Sequence, residues 1–219
     1  MNVIIAGSTG MIGSLILEQC IKSKEVKSVT NLIRQPKKDT LNPKNTTIVV
    51  SDFVTYDNQN LAFKNIDIAF FCLGVYTGQV KDDAFKQITV DYAVGFAKML
   101  KANSPNARLC LLSGAGADRT EKSRTAFARY KGMAENQISK LGLELYSFRP
   151  GYIYPVTPRK EPNILYKLFR YLYPLVKLMG SSASIKSTEL ANAMYQVGIH
   201  GADEEILENK DIVKLIQLN

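Results

Sequence analysis

Residues 3–13 read VIIAGSTGMIG, a short apolar run that passes through three glycines into a segment with helical periodicity. The spacing GxxGxxG permits a sharp turn, a close backbone approach to a ligand, and packing of the helix on the strand. The first turn of such a helix presents free N–H groups to phosphates. The stretch predicts a turn that binds a dinucleotide pyrophosphate, although a tight turn without a ligand is the alternative. The predicted contacts are Gly7, Ser8, Thr9, Gly10, Met11, Ile12 and Gly13.

Apolar runs and amphipathic stretches alternate outward from this turn. The predicted strands are 3–6, 29–34, 47–51, 66–73, 108–113 and 143–149, and the predicted helices are 11–24, 83–103 and 127–141. The strands are apolar throughout rather than alternating, which is typical of a parallel sheet covered on both faces. The pattern predicts an α/β fold with a doubly wound parallel sheet of the Rossmann type. We expect one domain over 1–219, with 151–185 as a small cap on the substrate side.

The ends of the second and third predicted strands indicate which dinucleotide is bound. Arg34 ends the second strand, where an acidic residue would bind a ribose 2′-hydroxyl and an arginine accommodates a 2′-phosphate. Arg34, with Lys37 or Lys38 nearby, therefore favours NADP(H) over NAD(H), unless it is an ordinary surface arginine. After the third strand, Asp52 is expected to bind the adenine amine and Phe53 to line the ring. A simple turn role for Asp52 is the alternative.

Five motifs occur in the order typical of one superfamily: GSTGMIG at 7–13, LSGAGAD at 112–118, YKGMAE at 130–135, SFRPGYI at 147–153 and LENKDI at 207–212. With these motifs the chain resembles the short-chain dehydrogenase/reductase superfamily in its extended or atypical branch. Within that branch it is similar to the Tat-interacting-protein-type oxidoreductases, to which LENKDI points most narrowly.

The resemblance implies a catalytic serine and a tyrosine–lysine pair. Ser113 matches the serine that orients a substrate carbonyl, although it could also be a capping serine, and Lys131 matches the lysine that binds the nicotinamide ribose. The proton-transferring tyrosine belongs four residues before the lysine, where it shares one helix face with it. That position is Phe127, which has no hydroxyl. Tyr130 adjoins Lys131 and therefore points about 100° away around the helix.

The same resemblance carries over two further sets of cofactor contacts. Cys72, Leu73 and Gly74 end the fourth strand and should pass beside the ribose and nicotinamide. Residues at the end of the sixth strand should meet the carboxamide: Pro150, Gly151, Tyr152 and Ile153. Both sets agree with the rule that ligands lie beyond the carboxyl ends of parallel strands.

Phe127 leaves three hypotheses for function. In the first, the protein is an NADP(H)-dependent oxidoreductase whose proton comes from Tyr76, Tyr152, Tyr154 or water. In the second, it binds the cofactor without turnover and acts as a regulatory or redox-sensing protein. In the third, it performs related chemistry, such as epimerisation or dehydration of a sugar nucleotide.

Composition limits the partners. The 219 residues carry 28 Lys and Arg against 20 Asp and Glu, but the excess is scattered and no nucleic-acid-binding motif accompanies it, so we expect no nucleic-acid partner. Cys20, Cys72 and Cys110 are widely spaced, which argues for a reducing compartment and against a disulfide framework. With His200 as the only histidine, we expect no metal site and no histidine-based triad.

Targeting and surface features complete the expectations. No secretion signal and no run long enough to span a bilayer are visible, so we expect a cytoplasmic protein with a small-molecule substrate. The segment 164–179, ILYKLFRYLYPLVKLM, is rich in leucine and aromatic residues and contains Pro174. It is interpreted as a cover of an apolar substrate pocket or a homodimer contact, with contact to a membrane surface as the alternative.

Overall fold

A parallel sheet forms the centre of the molecule. The computed structural model describes residues 1–35, 42–56, 59–76, 78–157 and 183–217. Its strands are β1 (Asn2–Ala6), β2 (Ser28–Ile33), β3 (Asn45–Val49), β4 (Ile68–Phe71), β5 (Arg108–Leu112), β6 (Glu144–Arg149), β7 (Tyr152–Tyr154), β8 (Ser184–Lys186) and β9 (Ile206–Glu208). Seven of them form one sheet in the order β3-β2-β1-β4-β5-β6-β9, with every neighbouring pair parallel. This is a doubly wound Rossmann sheet, as the sequence predicts.

Helices cover both faces of the sheet. They are α1 (Met11–Lys22), α2 (Asp82–Lys86), α3 (Tyr92–Asn103), α4 (Ala126–Ser139), α5 (Ser187–His200) and α6 (Asn209–Gln217). Side chains of α3 and α4, such as Phe96 and Ile138, pack in one core cluster, and those of α1, α5 and α6, such as Ile16 and Ile212, pack in the other. Strands buried between two helical layers read as continuous apolar runs. The edge strand β3 departs from this pattern, because it pairs with β2 alone and no residue in it is fully buried.

The long predicted helix at 83–103 is interrupted. A π-helical turn at Gln87–Asp91 joins α2 to α3. The extra residue in that turn shifts the buried face, so that Thr89 and Val90 are buried while Ile88 is only half-buried. The apolar periodicity of the sequence does not reveal this shift, since both helical parts keep their own apolar faces.

The chain after β6 contains elements that the sequence pattern does not predict. β7 pairs in parallel with β8, with Tyr152 opposite Ser184, and β9 adds a seventh strand beside β6. Strands of three residues are too short to produce a recognisable periodicity. Most of the predicted cap, including the whole of 164–179, lies outside the described residues, as do Lys37 and Lys38. Within the described residues, no helix is long and apolar enough to cross a membrane.

Candidate functional site

The turn after β1 is held tight by its glycines. Gly7 has a φ of +94°, in the left-handed region that favours glycine. A Cβ atom on Gly7 would lie 2.6 Å from the backbone carbonyl carbon of Cys72, and one on Gly13 would lie 2.3 Å from the carbonyl oxygen of Gly7. The N–H of Gly10 donates to that same oxygen at 3.0 Å. Backbone therefore packs directly on backbone, and α1 begins at a glycine cap that supplies no side chain to its first N–H groups.

Ser8 anchors this turn to the neighbouring strand. Its Oγ donates to Oδ1 of Asn31 on β2, and both residues are buried, whereas Thr9 is exposed. The Ser8 hydroxyl is thus directed inward rather than towards a ligand. Any contact of Ser8 with a phosphate would come from its backbone N–H.

A cavity of about 520 Å³ opens at the carboxyl ends of β1, β4, β5 and β6. The strand order reverses between β1 and β4, which is where doubly wound sheets bind ligands. The cavity brings together most of the residues that the sequence assigns to the site: 10–12, 72–74 and 150–153, with Ser113 and Lys131. Gly7, Ser8 and Thr9 belong to the adjoining turn rather than to the cavity wall.

Lys131 lies on α4 at the wall of the cavity. Its Nζ donates to the carbonyl oxygen of Leu112 at 2.9 Å, which draws the end of β5 towards the helix. Burial of the ammonium group lowers the pKa of Lys131 to about 8, while Glu135 and then Cys72 offset part of that shift. Protonated and neutral forms of Lys131 therefore both exist near neutral pH.

Cys72 faces the same cavity as an unreactive thiol. Burial raises its pKa to about 12, and the charge of Lys131 offsets only part of that effect. Because the nucleophile is the thiolate, Cys72 is a poor candidate for covalent chemistry. Cys72 therefore serves only to line the cavity.

Ser113 is held by a buried carboxylate that the sequence analysis did not identify. Its Oγ donates to Oε1 of Glu135 at 2.5 Å, and Glu135 is 0% exposed. Arg149 Nε and Nη2 donate to the two carboxylate oxygens at 3.0 and 2.5 Å, and Arg119 Nε donates to Oε2 at 2.9 Å. Burial acts to raise the pKa of Glu135, but the hydrogen bonds from Arg149, Ser113 and Arg119 hold it below its ordinary value.

The C-terminal LENKDI motif braces this arrangement. Glu208 accepts from Arg149 Nη1 at 2.9 Å. Oδ1 of Asn209 accepts from the backbone N–H of Gly151 at 2.8 Å, and its Nδ2 donates to the Ser184 carbonyl at 3.1 Å. The motif therefore fixes the segment after β6 that forms one wall of the cavity. Glu135 lies in the motif YKGMAE and Arg149 lies in SFRPGYI. Their presence in these two motifs was the signal that could have revealed the ion pair between them.

Phe127 occupies the tyrosine position and faces the cavity. The tip of its ring packs on Gly114, where a Cβ would lie 2.4 Å from Cζ of Phe127. Tyr130 is buried on another side of α4, and its hydroxyl donates to Oδ2 of Asp82 at 2.6 Å. Tyr130 is absent from the lining of the cavity, in agreement with its helical position.

The residues predicted to bind the adenosine end of the cofactor lie outside the cavity, and each has its own environment. Arg34 is exposed directly after β2. Asp52 is a turn residue, because its carboxylate accepts from the Val54 N–H at 2.7 Å and from Thr55 Oγ1 at 3.0 Å, and these bonds lower its pKa. The expectation that the Phe53 side chain lines the adenine ring needs correction. That side chain is 3% exposed in the aromatic core, so only its backbone could reach a ligand.

A model of a family described as NAD(P)H-binding matches residues 7–172, most of the chain. This chain belongs to that NAD(P)H-binding family. The match begins at the glycine turn that follows β1, includes β2 to β7, and contains every residue that lines the cavity.

The chain is also similar to two known proteins in sequence and to one solved structure in fold. The chain is 28% identical to rat Protein HTATIP2 over 221 residues, covering 98% of this chain and 88% of the relative. It is 28% identical to Protein FMP52, mitochondrial, of Candida albicans over 170 residues, covering 74% and 71%. The Bordetella bronchiseptica enzyme WbmF in complex with NAD+ has the same fold, with a TM-score of 0.66, 14% identity, and 99% and 77% of the two chains covered.

The residues of this NAD(P)H-binding protein suit a dinucleotide. The close packing of backbone on backbone at Gly7 and Gly13 leaves no room for a side chain, and α1 starts with N–H groups that no side chain caps. The turn leads without a break into the cavity that contains Lys131 and Ser113. The pyrophosphate would lie on the turn, and the nicotinamide end would extend into the cavity.

Proposed function

We propose that this protein is an NADP(H)-dependent oxidoreductase acting on an apolar carbonyl or alcohol substrate. The observation that carries the proposal is a single cavity that joins the first turn of α1 to Ser113 and Lys131. A cofactor and a substrate would meet only where these groups share one space. When bound, NADPH would supply a hydride to a carbonyl carbon.

The substrate class follows from the remaining cavity wall. Val75, Phe127, Ile153 and Pro155 contribute apolar surface beside the polar groups of Ser113, Lys131, Tyr76 and Tyr152. Pockets of this kind bind apolar molecules and orient them through a few polar groups. This lining supports an apolar carbonyl over the sugar nucleotide of the third hypothesis.

Turnover and its dependence on Ser113 test the proposal. Purified protein should oxidise NADPH with at least one member of a panel of apolar aldehydes and ketones. Ser113→Ala should lower kcat/KM about 10- to 100-fold, because Ser113 Oγ can no longer accept a hydrogen bond from the hydroxyl that forms on the substrate. The matched control is Ser147→Ala, since Ser147 is also buried, on the adjacent strand β6, and its Oγ has no hydrogen-bond partner among the described residues. Equal rates for Ser113→Ala and the wild type would contradict the role of Ser113.

A regulatory protein is the second candidate, and Phe127 is the observation that favours it. A site that binds the dinucleotide but lacks the tyrosine hydroxyl could report the cofactor's redox state without consuming it. Tight NADPH binding, with no turnover across the whole panel, would support this function and overturn the oxidoreductase. If calorimetry detects no binding of any nicotinamide nucleotide, both the oxidoreductase and the regulatory function are overturned.

The preference for NADP(H) is part of the proposal and is supported by the position of Arg34 at the end of β2. Arg34→Ala should weaken NADPH binding about 10- to 100-fold and leave NADH binding nearly unchanged, because charge-assisted contacts to a 2′-phosphate would be lost. Isothermal calorimetry with both nucleotides measures the difference. Arg124→Ala removes another exposed arginine and serves as the control. Equal losses for both nucleotides would exclude a 2′-phosphate contact.

The remaining partners and the location stay proposals. We propose a small-molecule substrate and no nucleic-acid partner, and we keep the prediction that 164–179 covers the pocket or forms a homodimer contact. A cytoplasmic location is supported by Cys20, Cys72 and Cys110, which are all free thiols.

A further inference from the structure

We propose that Lys131 itself donates and accepts the proton of the reaction, in place of the tyrosine whose position is occupied by Phe127. The inference rests on the oxidoreductase function proposed above and names its acid–base group. It differs from the role that the family resemblance implies for Lys131, in which the lysine binds ribose and assists a tyrosine.

On the side that faces the cavity, α4 carries a single group that can transfer a proton. One turn before Lys131, the ring of Phe127 packs on Gly114 and offers only carbon atoms. Tyr130 is committed to Asp82 outside the cavity. Lys131 is therefore the only residue of α4 in the cavity wall that carries an acidic proton.

Ser113 cannot donate the proton to the substrate. Its single hydroxyl proton is directed to Glu135, whose two oxygens accept four hydrogen bonds in total, three of them from arginines. This network fixes Glu135 as a carboxylate and the serine as its donor. The lone pairs of Ser113 Oγ remain available to accept a hydrogen bond from a substrate hydroxyl.

The protonation of Lys131 depends on its contacts in the cavity wall. One of its three ammonium protons is donated to the Leu112 carbonyl, which leaves two for groups inside the cavity. Two titratable groups act on its charge, Glu135 further along α4 and Cys72 after β4, while Tyr76 and Tyr152 line the same cavity. The Cys72 thiol stays protonated and Glu135 is compensated by arginines, so burial dominates and the pKa of Lys131 lies at about 8. A group with that pKa can both release and regain a proton near neutral pH.

The step balances in the direction of reduction. As the carbonyl carbon receives the hydride with its electron pair, the N–H bond of Lys131 breaks and its electrons stay on nitrogen. The proton forms the O–H bond of the product alcohol, which then donates to Ser113 Oγ. The neutral amine of Lys131 regains a proton from water. Oxidation of the alcohol reverses each transfer, with neutral Lys131 as the base.

Lys131→Arg is the sharpest test, because arginine keeps the positive charge and a donor for Leu112 but does not release its proton. For the wild type, kcat/KM of carbonyl reduction should fall about tenfold per pH unit above pH 8. Lys131→Arg should lower kcat/KM at least about 100-fold and abolish that pH dependence, while NADPH affinity changes less than about fivefold. Lys140→Arg, an exposed lysine just after α4, is the matched control and should behave as the wild type.

A second readout does not depend on turnover. In protein labelled with ¹³C at the lysine Cε, one NMR signal should titrate near pH 8, well below the ordinary lysine range, and Lys131→Arg should remove that signal. The measurement is made on the full chain without cofactor. A Lys131 signal that titrates above pH 10 would overturn the inference.

The outcomes separate this inference from the function on which it rests. Turnover that survives Lys131→Arg, with its pH dependence intact, overturns the role of Lys131 and leaves the oxidoreductase in place. A loss confined to Tyr76→Phe or Tyr152→Phe would assign the proton to that tyrosine and would also overturn it. Absence of wild-type turnover with every carbonyl tested overturns the proposed function, and this inference with it.

Discussion

Replacement of Gly13 with alanine should abolish measurable NADPH binding. The new Cβ would lie 2.3 Å from the carbonyl oxygen of Gly7 and 3.0 Å from Cα of Ser8. Both are backbone atoms, so the clash cannot be relieved by rotating a side chain, and α1 must move away from the turn. Because the N–H groups at the start of α1 and the turn would bind the pyrophosphate together, we expect affinity to fall more than about 100-fold. Calorimetric titration with NADPH measures the loss.

Gly198→Ala is the matched control for this experiment. Gly198 lies on α5, away from the cavity, and its Cβ would lie 2.5 Å from Cζ of Phe70, a buried ring that has little room to move. Both variants should lower the temperature of unfolding, but only Gly13→Ala should lose the cofactor while still folded. If folded Gly13→Ala protein binds NADPH as tightly as the wild type, the glycine turn is not the pyrophosphate site.

Replacement of Glu135 with glutamine should cause the largest loss of stability. The substitution keeps the side-chain volume but removes the negative charge that Arg149 and Arg119 share, and Arg149 is itself largely buried. Loss of one partner of a buried ion pair costs about 3–5 kcal/mol of unfolding free energy. We expect a loss of that size in urea denaturation. We also expect lower activity, because Ser113 loses the acceptor that orients it.

The Glu135 network also predicts in which direction the stability of the protein changes with pH. The pKa of Glu135 is lower in the folded protein than its ordinary value, which is about 4.3 in the unfolded chain. Its contribution to stability is therefore complete above that value and is lost as the pH falls below it. Wild-type stability should decline more steeply than that of Glu135→Gln between about pH 5 and pH 3.

Glu18→Gln provides the control for the carboxylate. Glu18 pairs with Lys22 one turn along α1, with side-chain exposures of 58% and 72%. Exposed pairs of this kind contribute about 0.5 kcal/mol or less. Similar losses for Glu18→Gln and Glu135→Gln would mean that burial does not set the strength of the Glu135 network.

Local sequence patterns predict only part of the candidate site. Lys131 and Ser113 could be identified from motifs, and their common cavity follows from the rule that parallel strands end at one edge of the sheet. The Glu135 network could not be assembled in this way, because its members come from α4, β6, β9 and the loop that contains Arg119. Ion pairs between distant elements leave no periodic signal in the sequence. The inward direction of Phe53 was missed for the same reason, since its aromatic partners Tyr56 and Tyr92 are supplied by the fold.

The sequence by itself determined the glycine turn, the first six strands and the absence of a tyrosine at position 127. These are local properties: glycine is required where backbone meets backbone, and buried parallel strands are apolar along their whole length. Only the tertiary structure decided that the Ser113 proton is directed to Glu135 and that burial lowers the pKa of Lys131. Those outcomes depend on burial and on partners remote in the chain. Spacing therefore located the site, whereas packing set the protonation of its groups.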